Sequence, residues 1–279
     1  MQKIIIMAIA IFSIAFSACK KEAVKISETA GLIKVQELSN EDYIIEVYTE
    51  SGALQLGYND IYLRLKNKLT GNYEENATLD WMPEMHMVMM THSCPKSAIE
   101  KVSKKQTLYK GYIVFQMPEN KDEHWNLTID YTVGETTGTV SDQISVPNST
   151  YKNVASFTGS DSKKYIIALV QPQQPVVAVN DFIVGLFTME TMSKFPPVEN
   201  FSILSDPRMP DMGNHSSPNN VSPAYNATDK LYHGKLSLTM TGEWRLNFII
   251  KNADNDIIKG EAITEENESS SLFLDIKAK

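Results

Sequence analysis

Apolar and polar residues alternate along residues 43–49, 61–66, 111–117, 125–133 and 138–146, and each run is rich in β-branched and aromatic side chains. A period of two puts one set of side chains on a single face, the pattern of a half-buried strand. A second series follows at residues 165–171, 182–189, 235–240, 244–251 and 271–277. No stretch carries a capped helical stripe. Gly, Asn, Asp and Pro separate the runs, which predicts an all-β chain of antiparallel sheets. Residues 195–225, rich in Pro, Asn and Ser, break the alternation and are expected to form a long loop.

The two series echo each other. Tyr43-Ile44-Ile45 recurs as Tyr165-Ile166-Ile167, and Asn59-Asp60 as Asn180-Asp181. Tyr109, Gly111, Met117 and Trp125 are answered by Tyr232, Gly234, Met240 and Trp244. A spacing held near about 120 residues marks an internal duplication. The expected fold is therefore two tandem immunoglobulin-like antiparallel β-sandwiches following a lipoprotein signal peptide. The first spans residues 41–147 and the second 151–279, with a turn-rich join at Pro147-Asn148-Ser149-Thr150.

The N-terminus predicts the compartment. Lys3 precedes an apolar run at residues 4–16 that is too short to span a bilayer comfortably. Ser17 and Ala18 then precede Cys19, so residues 1–18 read as an export signal peptide. The arrangement resembles a bacterial lipobox, with Phe16 where an aliphatic residue is usual. That resemblance implies a lipidated Cys19, a tether over residues 19–40 and a cell-envelope location, with Lys20-Lys21 favouring the outer membrane. A membrane contact through the lipid anchor is the first expected partnership.

The chain carries a formal charge of −8 and no basic stripe, which argues against nucleic acid as a partner. With Cys19 modified, Cys94 is the sole remaining cysteine of the two, so no intrachain disulfide is expected. Neither a nucleophile elbow nor a zinc-protease motif nor a phosphate-cradling glycine loop is present, and the expected role is binding rather than catalysis.

The chemistry lies in sulfur and imidazole. Met82-Pro83-Glu84-Met85 is followed by Met90, His92 and Cys94, and Met209-Pro210-Asp211-Met212 by His215. Thioethers are soft neutral ligands that favour Cu(I), and imidazole also suits copper. Matching the two Met-Pro starts pairs Met82 with Met209 and Met85 with Met212; matching the His-Ser-x-Pro ends pairs His92 with His215. Read as one extended strand, residues 85–94 put Met85, Met87 and Met89 on one face, and His86, Met90, His92 and Cys94 on the other. The candidate metal ligands are Met209, Met212 and His215 in the second copy, and Met82, Met85, Met90 and His92 in the first. The competing reading is structural: methionine fills irregular cores, and a histidine beside a proline turn caps backbone groups. Combined alanine changes at Met209, Met212 and His215 are expected to weaken metal uptake with little loss of fold.

Met209-Pro210-Asp211-Met212-Gly213-Asn214-His215, then Tyr232-His233-Gly234 and Met240-Thr241-Gly242-Glu243-Trp244, resemble the YtkA-like and FixH-type envelope domains. The second half carries the closer likeness and the first half a degenerate copy. Asn214 displaces His215 by one position from the family pattern. The resemblance implies an immunoglobulin-like sandwich and copper handling or oxidase maturation, with a copper transporter or oxidase assembly protein as partner. The alternative is a metal-free scaffold or interaction module of a membrane complex.

Overall fold

A computed structural model describes residues 27–279. The expected signal peptide at residues 1–18 and the expected lipidation site Cys19 lie outside the described residues. The first sandwich contains β1 (Ile33–Ser39), β2 (Tyr43–Thr49), β3 (Gly57–Asn67), β4 (Ala77–His86), β5 (Thr91–His92), β6 (Glu100–Lys101), β7 (Tyr109–Phe115), β8 (His124–Val133) and β9 (Thr136–Ile144). One sheet has the order β1-β2-β3-β7-β6, the other β5-β4-β8-β9, and every pair is antiparallel.

The second sandwich contains β10 (Val154–Thr158), β11 (Lys164–Gln171), β12 (Val179–Thr188), β13 (Ser202–Met209), β14 (His215–Ser216), β15 (Val221–Asn226), β16 (Leu231–Ser237), β17 (Gly242–Lys251), β18 (Ile257–Lys259) and β19 (Phe273–Ala278). Its sheets run β10-β11-β12-β16-β15 and β14-β13-β17, with β18 and β19 both pairing β17. The two topologies coincide. In immunoglobulin terms, β2-β3-β7-β6 and β11-β12-β16-β15 are the A-B-E-D sheets. The strands β5-β4-β8-β9 and β14-β13-β17-β19 are the C′-C-F-G sheets. β1 and β10 add an N-terminal strand to each first sheet.

Alternation explains the cores. Along β8, Trp125, Leu127, Ile129 and Tyr131 are buried while the residues between them face outward. Side chains shared by both copies hold equivalent places. Asn59 accepts from the Gln55 amide (3.0 Å) and donates to the carbonyls of Gln55 and Gly57. Asn180 does the same with Val176 and Ala178. A Cβ on Gly111 would come within 2.7 Å of the Trp81 ring, and one on Gly234 would strike the Val221 backbone. The duplicated sequence frame thus marks positions where a loop is tied to strand B or where strand E allows a close approach.

Two expectations change. Residues 33–39, assigned to the tether, form β1, which pairs with β2 from Ile33↔Thr49 to Ser39↔Ile44. Residues 195–225, expected as a loop, contain β13, β14 and most of β15. Inward positions of β13 are Ile203, Ser205, Pro207 and Met209, too weakly apolar to register as alternation. Proline is tolerated there because β14 pairs only at Arg208 and Met209, leaving Pro207 a one-sided strand position.

A third cluster joins the sandwiches. Tyr58 and Val114 of the first pack with Val154, Ile166, Ala168, Val170, Phe187, Phe195 and Leu231 of the second. β11 is buried on both faces, which accounts for the unbroken apolar run from Tyr165 to Val170. The Leu56 amide donates to the Pro147 carbonyl, and Asn153 Nδ2 donates to the Leu56 carbonyl.

Burial raises the hydroxyl pKa values of Tyr58, Tyr112, Tyr165 and Tyr232, with Tyr112 and Tyr232 pushed up to about 12. The unfolded chain releases these protons near about pH 10 while the folded chain keeps them. Stability is therefore undiminished below about pH 10 and falls between about pH 10 and 12. Denaturant midpoints across this window are expected to drop as tyrosinate absorbance appears. Full ionisation of these phenols in a protein that stays folded would contradict the assignment.

Candidate metal centre

The register of the C strands decides where each candidate ligand falls. In the first sandwich Met85 lies opposite Trp125 on β8 and opposite His92 on β5. In the second, Arg208 pairs with Arg245, which sets Met209 level with Trp244, and Met209 faces His215 on β14. The structural equivalents are therefore Met85 with Met209 and His92 with His215. Met82-Pro83-Glu84-Met85 corresponds to Asp206-Pro207-Arg208-Met209, not to Met209-Pro210-Asp211-Met212. The second tetrapeptide sits three residues too far along to be the repeat.

Met85 is fully buried in the first core, and Met209 is 3% exposed in the second. Each lies beside the buried indole of its sandwich. Trp125 Nε1 donates to the Met117 carbonyl (2.9 Å), and Trp244 Nε1 donates to the Met240 carbonyl (3.0 Å). Met82 faces outward, on the opposite side of β4 from Met85. Pro210–Met212 forms a 3-10 turn closed by Gly213 in the left-handed region (φ 64°), leaving Met212 52% exposed. His215 is exposed as well. Met209, Met212 and His215 are thus divided between the second core and the solvent.

Met90 and His92 meet a different fate. β4 does not continue through residues 85–94 as one strand; it turns back. The Met87 amide donates to the Met90 carbonyl (2.9 Å), Val88 and Met89 make the tip, and Thr91 pairs with His86. Reversal puts Met85 and His92 on one side of the hairpin and His86 on the other. The single-strand face assignment is corrected accordingly, because a hairpin pairs residues across the turn.

Beyond the core, the inward side of this hairpin opens on a cleft of about 590 Å³ between the sandwiches. Met87, Met90, His92, Gln116 and Met117 line it from the first sandwich. Phe157, Lys164, Tyr165, Ile166, Met189 and Met192 are among those lining it from the second. The Ser93 amide donates to the Met192 carbonyl (2.7 Å), fastening the segment after His92 to the turn that carries the second sandwich's thioethers. His92 is 8% exposed, with its ring edge-on to Trp125 at 5.9 Å. Its Nδ1 lies 2.8 Å from the Ser93 carbonyl. That bond requires the proton on Nδ1, so the neutral ring keeps its lone pair on Nε2, the arrangement common in metal-ligating histidines.

Sequence reasoning missed Met189 and Met192 altogether and left Met87 and Met117 outside its candidate ligands. The available signal was a methionine pair three residues apart in a polar turn just after a strand. Cys94 takes no ligand role. Burial pushes its thiol well above the ordinary range, with Lys96 acting weakly the other way, and a protonated thiol is a poor metal ligand. Among the described residues, no three His, Cys, Asp or Glu side chains gather as a cation-holding group, so the cleft's candidate donors are thioethers and one imidazole.

No protein-family model and no curated protein matches the chain. Among solved structures, a chimeric titin Z1Z2–Z1Z2 tandem functionalised with a GRGDS peptide from fibronectin is 13% identical. The match covers 88% of this chain and 97% of that one with a TM-score of 0.19. A likeness that slight carries no argument, and the sandwich assignment rests on strand order.

Met85→Ala and Met209→Ala are each expected to cost about 2–5 kcal/mol by leaving cavities beside the indoles. Met→Leu at either place should cost under about 1.5 kcal/mol. Equilibrium unfolding checks both. Loss of stability in Met209→Ala replaces the earlier expectation that its removal leaves the fold intact.

Proposed function

We propose that this chain is an exported, lipid-anchored envelope protein that binds Cu(I) in the cleft between its sandwiches. Presentation of the ion to a membrane partner, a copper transporter or oxidase assembly protein, follows from such a role. One observation carries the reading: five thioethers and the His92 imidazole, drawn from both sandwiches, line a single open cleft. Thioethers do not titrate, so a site built on them holds a soft monovalent ion without releasing protons. The resemblance of residues 209–244 to YtkA-like and FixH-type domains points the same way, although the ligands proposed here lie elsewhere.

The set differs from the one expected from sequence. Met90 and His92 remain, joined by Met87, Met117, Met189 and Met192. Met82, Met85, Met209, Met212 and His215 are left to the frame and the surface. Access suits delivery: Met90 is 49% and Met192 44% exposed at the mouth. One feature favours a second reading, a metal-free interaction module. The hairpin tip presents Val88 and Met89, the latter 89% exposed, as an apolar point of contact for a partner protein.

Anaerobic competition with a chromophoric Cu(I) chelator tests the proposal. Wild-type protein is expected to take up one Cu(I). His92→Gln, or Met90→Leu combined with Met192→Leu, should weaken binding by roughly 10–100-fold with little change in unfolding midpoint. Met209→Leu should bind as wild type. No uptake by the wild type, or unaltered affinity in the cleft variants, refutes the site. A co-purifying partner that survives those changes would favour the interaction module. For the anchor, Cys19→Ala is expected to move the protein from the membrane to the soluble fraction.

A further inference from the structure

The outward side of the same hairpin carries a second set of donors. His86 on β4 and His124 on β8 are direct cross-strand partners. Their rings lie parallel, with centroids 5.3 Å apart and 7° between planes. Both are half-buried. The next row on this face is Glu84 opposite Asn126, and Asn126 Oδ1 is buried without a hydrogen-bond partner. A buried acceptor left unpaired is costly and calls for an explanation. The hairpin register separates this group from the cleft, because His86 faces away from the side that bears Met85 and His92.

We infer that His86 and His124 form a second metal site, which binds a borderline divalent cation such as Zn(II) on the outer face of the first sandwich. Imidazole suits that class of ion, and two histidines facing each other across a strand pair supply two of its bonds with no loop to order. Metal–nitrogen bonds near 2.0–2.1 Å in tetrahedral geometry set the nitrogens about 3.3 Å apart. Because each nitrogen lone pair lies in its ring plane, the parallel rings have to turn about their side-chain bonds to aim at a shared ion, a rotamer adjustment on a fixed ladder. Asn126 Oδ1, one row along, is an unpaired oxygen on the neighbouring pair, and Glu84 opposite Asn126 places a carboxylate in that row. Solvent completes the coordination. The donor set is harder than that of the cleft, so one hairpin presents nitrogen and oxygen on one side and sulfur on the other.

Zn(II) titration by calorimetry, with imidazole ¹⁵N signals followed by NMR, tests the inference without reference to copper. The intact protein is expected to bind one Zn(II) and to shift the signals of His86 and His124 together, leaving His92, His215 and His233 in place. His86→Ala and His124→Ala should each lower affinity at least tenfold, because one imidazole alone does not chelate. Met90→Leu should bind Zn(II) as wild type, so this site and the Cu(I) cleft stand or fall separately. If an alanine variant unfolds, the signals of the intact protein still decide. Absence of Zn(II) binding, shifts confined to His233 or His215, or wild-type affinity in both alanine variants would overturn the site.

Discussion

Each sandwich is built around a buried indole, and the first sandwich's share of the cleft takes its position from Trp125. Trp125 donates to the Met117 carbonyl, packs edge-on to Phe115 at 4.9 Å and receives the edge of His92 at 5.9 Å. Met85 lies opposite it across the ladder. These contacts hold β4 in register on β8, and the register decides which residues of the hairpin face inward. A slip of one residue would exchange His92 for Thr91 on the inner side and turn Met87 and Met90 outward. The cleft chemistry therefore depends on a packing contact that bears no ligand itself.

Duplication supplied the same indole setting twice, but only one copy extends it into a hairpin of thioethers. Between Met85 and His92 the chain runs through a tight turn, with Met87 and Met90 flanking its tip. Between Met209 and His215 it passes through Pro210, a 3-10 turn, and two residues in the left-handed region, Gly213 and Asn214. Proline removes a ladder donor there, and the coil lifts Met212 into solvent. The second sandwich contributes differently. Its B strand ends at Thr188, and the following turn brings Met189 and Met192 to the first sandwich's hairpin.

Much of this architecture was legible in the chain, and the exceptions have physical causes. β8 was readable because its alternation is strong, and β2, β11 and β17 because their runs are rich in β-branched and aromatic residues bounded by polar turns. β13 was hidden because Ser205 and Pro207 stand at inward positions, and β1 because a polar edge strand does not alternate clearly. The duplication was evident, yet its most conspicuous echo was out of register. Two Met-Pro-x-Met segments look alike, but equivalence follows the residues opposite Trp125 and Trp244, which are Met85 and Met209. Local similarity carries no information about cross-strand partners. The same limit explains why Met189 and Met192 were not foreseen: a site shared by two sandwiches is assembled by their packing.

That packing gives the cleft its preorganisation. β11 buries one face in its own core and the other against Tyr58 and Val114, so it is held from both sides. Tyr165 and Ile166 of this strand form part of the cleft wall. The Ser93–Met192 backbone bond then ties the imidazole-bearing segment to the opposing turn. Side-chain freedom remains mainly in the thioethers at the mouth, which are long, unbranched and adaptable. Such a division suits a site that must both hold a soft ion and give it up. The fixed elements set the cleft walls, which lowers the ordering that any ligand of the cleft would require. On the proposed reading, the exposed Met90 and Met192 would be the thioethers at the rim from which an ion is passed on.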